Sequence, residues 1–296
     1  MGRKHFNLKD FKTSLNNYCK SLEIKKAIAN NSDTEDCASL LHAIGSTYYC
    51  MKEYNLALGY FYKSLDMYKR LFLDEDHEDI CNNLQNIGNA FNNLKRYDKS
   101  LEYHKKSLEM RQRIQKSEET SDSAMVAYSL SKVGNCYYSL RDYKNAVNMH
   151  MEALKMRQSL YNNTDHFDTA NSLQNLGCSY SRLKDYTNAL SYHLKALDMR
   201  KRLCLNDSTY LVTSNNQIGD LYLNLKNYTK ALIFYSEALE VKQKQTVADS
   251  IELANCLDNV GNTYHYMGIE KFSALFKEKA SEMRARLDEK VNIKKE

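Results

Sequence analysis

Apolar and polar positions along this chain repeat one phrase six times. Its centre is a glycine: Gly45, Gly88, Gly134, Gly177, Gly219 and Gly261 are separated by 43, 46, 43, 42 and 42 residues. Each follows an aliphatic residue (Ile44, Ile87, Val133, Leu176, Ile218, Val260). Three residues later stands an aromatic (Tyr48, Phe91, Tyr137, Tyr180, Tyr222, Tyr264). Leu or Met comes six after the glycine, and Tyr nine after it in five units, with Glu270 in the last. Small residues hold the positions twelve and nineteen after it, from Ala57 and Ser64 to Ser273 and Ala280. Together with largely apolar positions seven, four and one before the glycine, this is the rhythm of an amphipathic helix. A turn such as "LKD" or "LKN" follows, and a second helix is predicted to start near the repeated tyrosine. A fixed period of about 20–50 residues marks a repeat array.

Glycine inside a helix costs about 1 kcal/mol relative to Ala. Its recurrence is explained if the glycine and the small positions lie where two helices meet backbone to backbone, with the large aromatics filling the space around the crossing. Gly268 lies outside this register, so Ala is expected to be tolerated there with little loss. An Asp stands twelve residues before every glycine (Asp33, Asp76, Asp122, Asp165, Asp207, Asp249) and is expected to N-cap the first helix. Asp36, Asp79, Asp168 and Glu252, three residues further on, are close to capping boxes. Basic residues at the ends of second helices, such as Arg111 and Arg113 or Arg200 and Arg202, suit the negative helix terminus.

The pattern L-x-x-[ILV]-G-x-x-Y…Y-x-x-A…A resembles the tetratricopeptide repeat. The period near 42 residues and the segments "DHEDI" (Asp76 to Ile80) and "DHFDTA" (Asp165 to Ala170) resemble its long variety, found in kinesin light chains and nephrocystin-like proteins. The chain departs from it in having no Pro, which often follows the His of that loop, and it has no long heptad coiled coil. The resemblance implies an all-α, right-handed superhelical solenoid of tandem antiparallel helix pairs. The units are read as 30–71, 72–114, 115–160 with a longer loop, 161–203, 204–245 and a divergent 246–286. A partial first repeat (second helix only) occupies 1–29, where Gly2, Phe11, Ser14 and Ser21 take the register positions. A charged tail runs over 287–296. Such an array grows by stacking neighbours, as one continuous core. The half unit at residue 1 is expected of a fragment or a divergent cap.

Composition narrows the function. Net charge is +5, with basic residues spread among acids, which disfavours nucleic acid as a partner. No apolar run approaches a membrane span and no secretory segment opens the chain. None of the eight cysteines forms a C-x-x-C pair, and several, such as Cys81 and Cys178, sit at small-residue positions. They are expected to be reduced, packed thiols in a cytoplasmic protein. His104, His150 and His193 share the position sixteen after the glycine, where other units hold Phe61, Tyr235 and Lys277. Equivalent residues of neighbouring repeats are about 8–10 Å apart, too far for one metal with bonds near 2.1 Å. They read as packing imidazoles, with no metal and no cofactor. No phosphate loop, nucleophile elbow or HExxH motif occurs, and recurrence argues against the singular arrangement an active site needs, so no enzyme is expected.

What remains is the face of the first helix opposite the packing stripe. Positions six and three before the glycine and one and five after it carry Asn82, Gln85, Asn89 and Asn93 in one unit, and Asn171, Gln174 and Arg182 in another. Asn216 and Asp220 follow in the next, then Asn255, Asp258 and Asn262; the unit of Gly134 contributes Asn135, one after its glycine, and Tyr138, four after it. The resemblance implies that first helices line the concave groove, which makes these the candidate partner-binding residues. Amides offer both donor and acceptor and suit the main chain of a partner peptide or helical segment. The chain is thus expected to be a non-catalytic scaffold or adaptor binding other proteins, its oligomeric state open. A regulatory array from a larger protein with its catalytic domain elsewhere is the alternative. An RNA-reading solenoid is disfavoured by the mixed charge of the face.

Overall fold

The computed structural model describes residues 10–117, 123–203, 209–245 and 249–293, and among these every regular element is an α-helix. The helices are α1 (Phe11–Ile28), α2 (Glu35–Cys50), α3 (Tyr54–Leu71), α4 (Glu78–Asn93), α5 (Tyr97–Ser117), α6 (Ser123–Ser139) and α7 (Tyr143–Leu160). After these come α8 (Phe167–Arg182), α9 (Tyr186–Leu203), α10 (Thr209–Asn224), α11 (Tyr228–Gln245), α12 (Ile251–Tyr266) and α13 (Glu270–Ile293). Where one continuous core is expected from the repeats, the helices group into two compact units divided after Met156. In the first, α2 packs on α3 and α4 on α5, with α1 against α2, α3 against α4 and α5 against α6. The second repeats the scheme with α8 on α9, α10 on α11 and α12 on α13. Gly2, Asp122, Asp207 and the 118–122 part of the longest loop, all assigned places in the repeat from sequence, lie outside the described residues.

Second helices begin at Tyr54, Tyr97, Tyr143, Tyr186 and Tyr228, and at Glu270 in the last unit. The preceding turn is a Schellman motif. In the first complete repeat, 30–71 and called the first repeat from here on, the Lys52 N–H donates to the Tyr49 carbonyl at 3.0 Å and the Glu53 N–H to the Tyr48 carbonyl at 2.9 Å. The motif's left-handed residue is Lys52, Lys95, Arg141, Lys184 and Lys226 in five repeats and Gly268, at φ 75°, in the sixth. Gly268 is therefore not a neutral position. It is the only one of the six with the residue type this conformation favours.

The register glycines face the residue sixteen further on. A Cβ built on Gly177 would stand 2.6 Å from the His193 ring, and one on Gly45 would stand 2.7 Å from Phe61. The glycine buries a ring against a helix backbone, which repays its conformational cost. His104, His150 and His193 are accordingly buried in the seats that Phe61 and Tyr235 take elsewhere. Burial holds the imidazoles of His104 and His193 down to about 4, helped by Lys132 and Arg111 in the first case and by Arg200 in the second. The leucine four before the glycine is replaced once, by Asn215, which is buried at the same register and leaves its Oδ1 without a partner.

The expected Asp caps are displaced by one residue. The N-caps are Thr34, His77, His166 and Ser250, and the acids taken for a capping box fall second in the helix. Asp33, Asp76, Asp165 and Asp249, just outside, instead each accept two hydrogen bonds from an arginine 37 residues later: Arg70, Arg113, Arg202 and Arg286. Both Arg113–Asp76 bonds are 2.7 Å. These hydrogen bonds hold the Asp33, Asp76 and Asp165 carboxyls below their usual range. The clip ties the start of a first helix to the end of its second, a geometric role that solvent screening leaves energetically modest.

Candidate functional site

The first-helix face is shaped by a residue that its own polar pattern does not reveal. Twenty-three positions after the glycine stand Tyr68, Arg111, Arg157, Arg200, Lys242 and Arg284, near the ends of second helices. Arg111 has a fully buried side chain. Its guanidinium donates to Asn82 Oδ1, Gln85 Oε1 and Ser129 Oγ, each at 2.7 Å, and to Glu78 Oε2 at 3.4 Å. Asn82 and Gln85 belong to the same repeat, whereas Ser129 belongs to the next, so one side chain joins two neighbouring first helices. Arg200 repeats this with Asn171 Oδ1 at 2.8 Å, Gln174 Oε1 and Ser214 Oγ at 2.8 Å, and lies 5.2 Å from the centre of the Tyr210 ring. Arg157 reaches Ser172 Oγ, and Arg284 takes Asn255 Oδ1 and Asp258 Oδ2. A buried guanidinium must have its donors satisfied, and paired amides three residues apart on one helix supply the acceptors.

This divides the fourteen candidate residues. Asn82, Gln85, Asn171, Gln174, Asn255 and Asp258 are acceptors for the chain's own arginines. Gln174 also donates to Gln217 at 3.0 Å, and Asn93 donates to the Tyr49 hydroxyl at 2.7 Å. Asn216 accepts from Asn259 at 3.3 Å, and Asp220 accepts from the Tyr235 hydroxyl at 2.5 Å. Tyr138 packs edge-on against Tyr143, and Arg182 is at the end of α8. Asn89, Asn135 and Asn262, all one after the glycine, have side chains with no hydrogen bond to described residues. The signal for the buried arginines was present as a basic residue recurring at one register behind paired amides.

In the first repeat Tyr68 holds the arginine position. There His42 and Asn83 meet directly, Nδ1 to Oδ1 at 3.3 Å, and Asn86 Nδ2 donates to His42 Nε2 at 2.9 Å. Beside them lies a cleft of about 320 Å³ between α2 and α4, walled by Ser39, His42, Tyr68, Asp79, Asn82 and Asn86. Burial pushes the His42 imidazole down, against the opposing pull of Asn83 and Asp79.

The tetratricopeptide repeat family matches residues 36–113, 117–202 and 210–286. The chain belongs to this family. No curated protein matches the sequence. Among solved structures, BtubC (BKLC) of P. vanneervenii superposes with a TM-score of 0.68 at 17% identity, covering 78% of this chain and 91% of that one. The kinesin light chain-like repeats of P. anserina give 0.61 at 11% identity, covering 72% of this chain and 98% of theirs. A Rap protein complexed with Competence and Sporulation Factor gives 0.57 at 18%, covering 97% and 74%. At such identities the likeness establishes the all-α repeat fold. Among the described residues, no helix is long and apolar enough to cross a membrane.

Proposed function

We propose that this chain is a non-catalytic scaffold that holds an extended segment of a partner protein on its first-helix face. The reading is carried by two amides of the first compact unit, Asn89 and Asn135, whose side chains make no hydrogen bond to the described residues. Each can give a donor and an acceptor to a partner's main chain. The Rap protein, similar in fold, was solved with Competence and Sporulation Factor bound, which supports binding as the use of such an array. The described cysteines are free thiols, and burial pushes the Cys81 thiol up to about 12, so it stays protonated and unreactive. That fits a reducing compartment, and we place the protein in the cytoplasm.

The test is affinity capture with the full chain, mapping of the bound segment, and calorimetric titration of that segment as a synthetic peptide. Asn89→Ala/Asn135→Ala should weaken it by about 1–3 kcal/mol, at about 0.5–1.5 kcal/mol per neutral hydrogen bond, with melting temperature unchanged or raised. Unchanged affinity in a folded double variant would place the binding surface elsewhere.

A further inference from the structure

Where two later repeats insert their own arginine, Arg111 and Arg200, the first repeat leaves a cleft. Arg111 and Arg200 join the amides six and three before the glycine to the next first helix. At the same register Tyr68 carries no guanidinium, and the joining contact is His42 to Asn83 instead. The cleft beside it is open enough, at about 320 Å³, for a planar side chain.

Its chemistry favours a cation. The Asp79 carboxylate on one wall is 44% exposed and pairs with no Lys or Arg among the described residues. His77 Nδ1 is 3.5 Å from it, but that nitrogen accepts the Asp79 N–H at 3.2 Å and so presents a lone pair rather than a proton. Asn86 spends its Nδ2 on His42 and leaves Oδ1 as an acceptor. Arg111, the cation behind Asn82, is buried and directed to its own acceptors. Burial, with Asp79 and Glu35 adding to it, pushes the Tyr68 phenol up to about 12, and burial pushes the His42 imidazole down against the pull of its Asn83 hydrogen bond and of Asp79.

We propose that this cleft receives an arginine side chain of the bound partner, which completes in trans the arrangement that later repeats complete with their own. The inference rests on the first-helix face being the binding face. Guanidinium is favoured over ammonium because its planar fork bonds a carboxylate with two parallel N–H donors and keeps others for Asn86 and Ser39.

The test selects random dodecapeptides on the full chain and titrates the winners. Peptides should share one arginine whose replacement by citrulline, which keeps the shape and removes the charge, lowers affinity about ten- to a hundredfold, the range for a hydrogen bond to a charged group. Asp79→Asn should cost a similar factor, and Tyr68→Arg, which fills the cleft from within, should abolish the arginine preference; thermal melts confirm that each variant is folded. Peptides that weaken with Asn89→Ala/Asn135→Ala but ignore citrulline and Asp79→Asn, or that depend on a lysine or an acid instead, overturn the arginine cleft and leave the binding face standing. Peptides indifferent to all of these variants, or a selection that yields none, overturn both.

Discussion

The repeat built from α2 and α3 and the one built from α8 and α9 share a skeleton and differ at two seats. Both press a ring onto a helix glycine, Phe61 on Gly45 and His193 on Gly177. At this seat phenyl and imidazole are interchangeable, because what matters is a flat group of the right size in a dry crossing. At the second seat they are not interchangeable. Arg200 engages Asn171 and Gln174 for the fold, whereas Tyr68 makes no such demand, and polar residues around it line an open cleft. One residue near the end of the second helix thus decides whether the positions six and three before the glycine accept from a buried guanidinium or border an open cleft.

The shared seat is the place to break the comparison most severely. Gly177→Leu brings a side chain to a point where even a Cβ meets the His193 ring at 2.6 Å. Overpacking of this kind should cost about 3 kcal/mol or more. Gly59 lies exposed within α3 with nothing near its absent Cβ, so Gly59→Ala should gain about 0.5–1 kcal/mol. Thermal melts of the two variants should move in opposite directions; small, equal shifts would discard the crossing.

The second seat separates the repeats. Asn171→Ala removes an acceptor from the buried Arg200 and should cost about 1.5–3 kcal/mol, the range for a hydrogen bond to a charged group. Ser39→Ala holds the same register in the first repeat, where Tyr68 replaces the arginine, and should be close to neutral. Denaturant midpoints at unchanged slope measure both. If the two variants proved equally mild, the contacts between the buried arginines and these amides would contribute nothing measurable to stability.

Much of this was legible in the sequence. The glycine, the aromatic after it and the tyrosine that opens each second helix were read from spacing alone, since they follow from the local rhythm of one helix pair. Two features were not. Asp33 and its equivalents are good cap residues, and local reasoning places them as N-caps; their actual partners lie 37 residues away. Asn82 and Asn171 are polar on a helix face otherwise turned from the core, which reads as solvent until a buried guanidinium arrives from another helix. In both cases the polar group's partner is distant in sequence, and amphipathicity does not encode distant pairing. Gly268 shows the same limit on a smaller scale, because its left-handed backbone is a property of the turn.

The ring seat also carries a titration that the first repeat lacks. Phe61 has no proton to bind, whereas burial holds His104 and His193 at about 4, well below the ordinary 6.5. The unfolded chain therefore takes up a proton as pH falls through about 6.5, and the folded chain does not until about 4. The stability these two rings contribute is complete above about 6.5 and is lost progressively below it. Lowering pH from about 7 to about 5 should cost roughly 2 kcal/mol for each histidine, since each tenfold rise in proton activity between the two pKa values costs about 1.4 kcal/mol. The paired carboxylates, held below their usual range, remain ionised over that window and keep their share. Converting both seats to the first repeat's solution, His104→Phe with His193→Phe, should flatten stability against pH by roughly twice that amount. Urea midpoints across the window give the slope directly. A double variant that still loses stability as steeply as the parent would locate the acid-sensitive groups elsewhere and remove the equivalence drawn between Phe61 and the buried imidazoles.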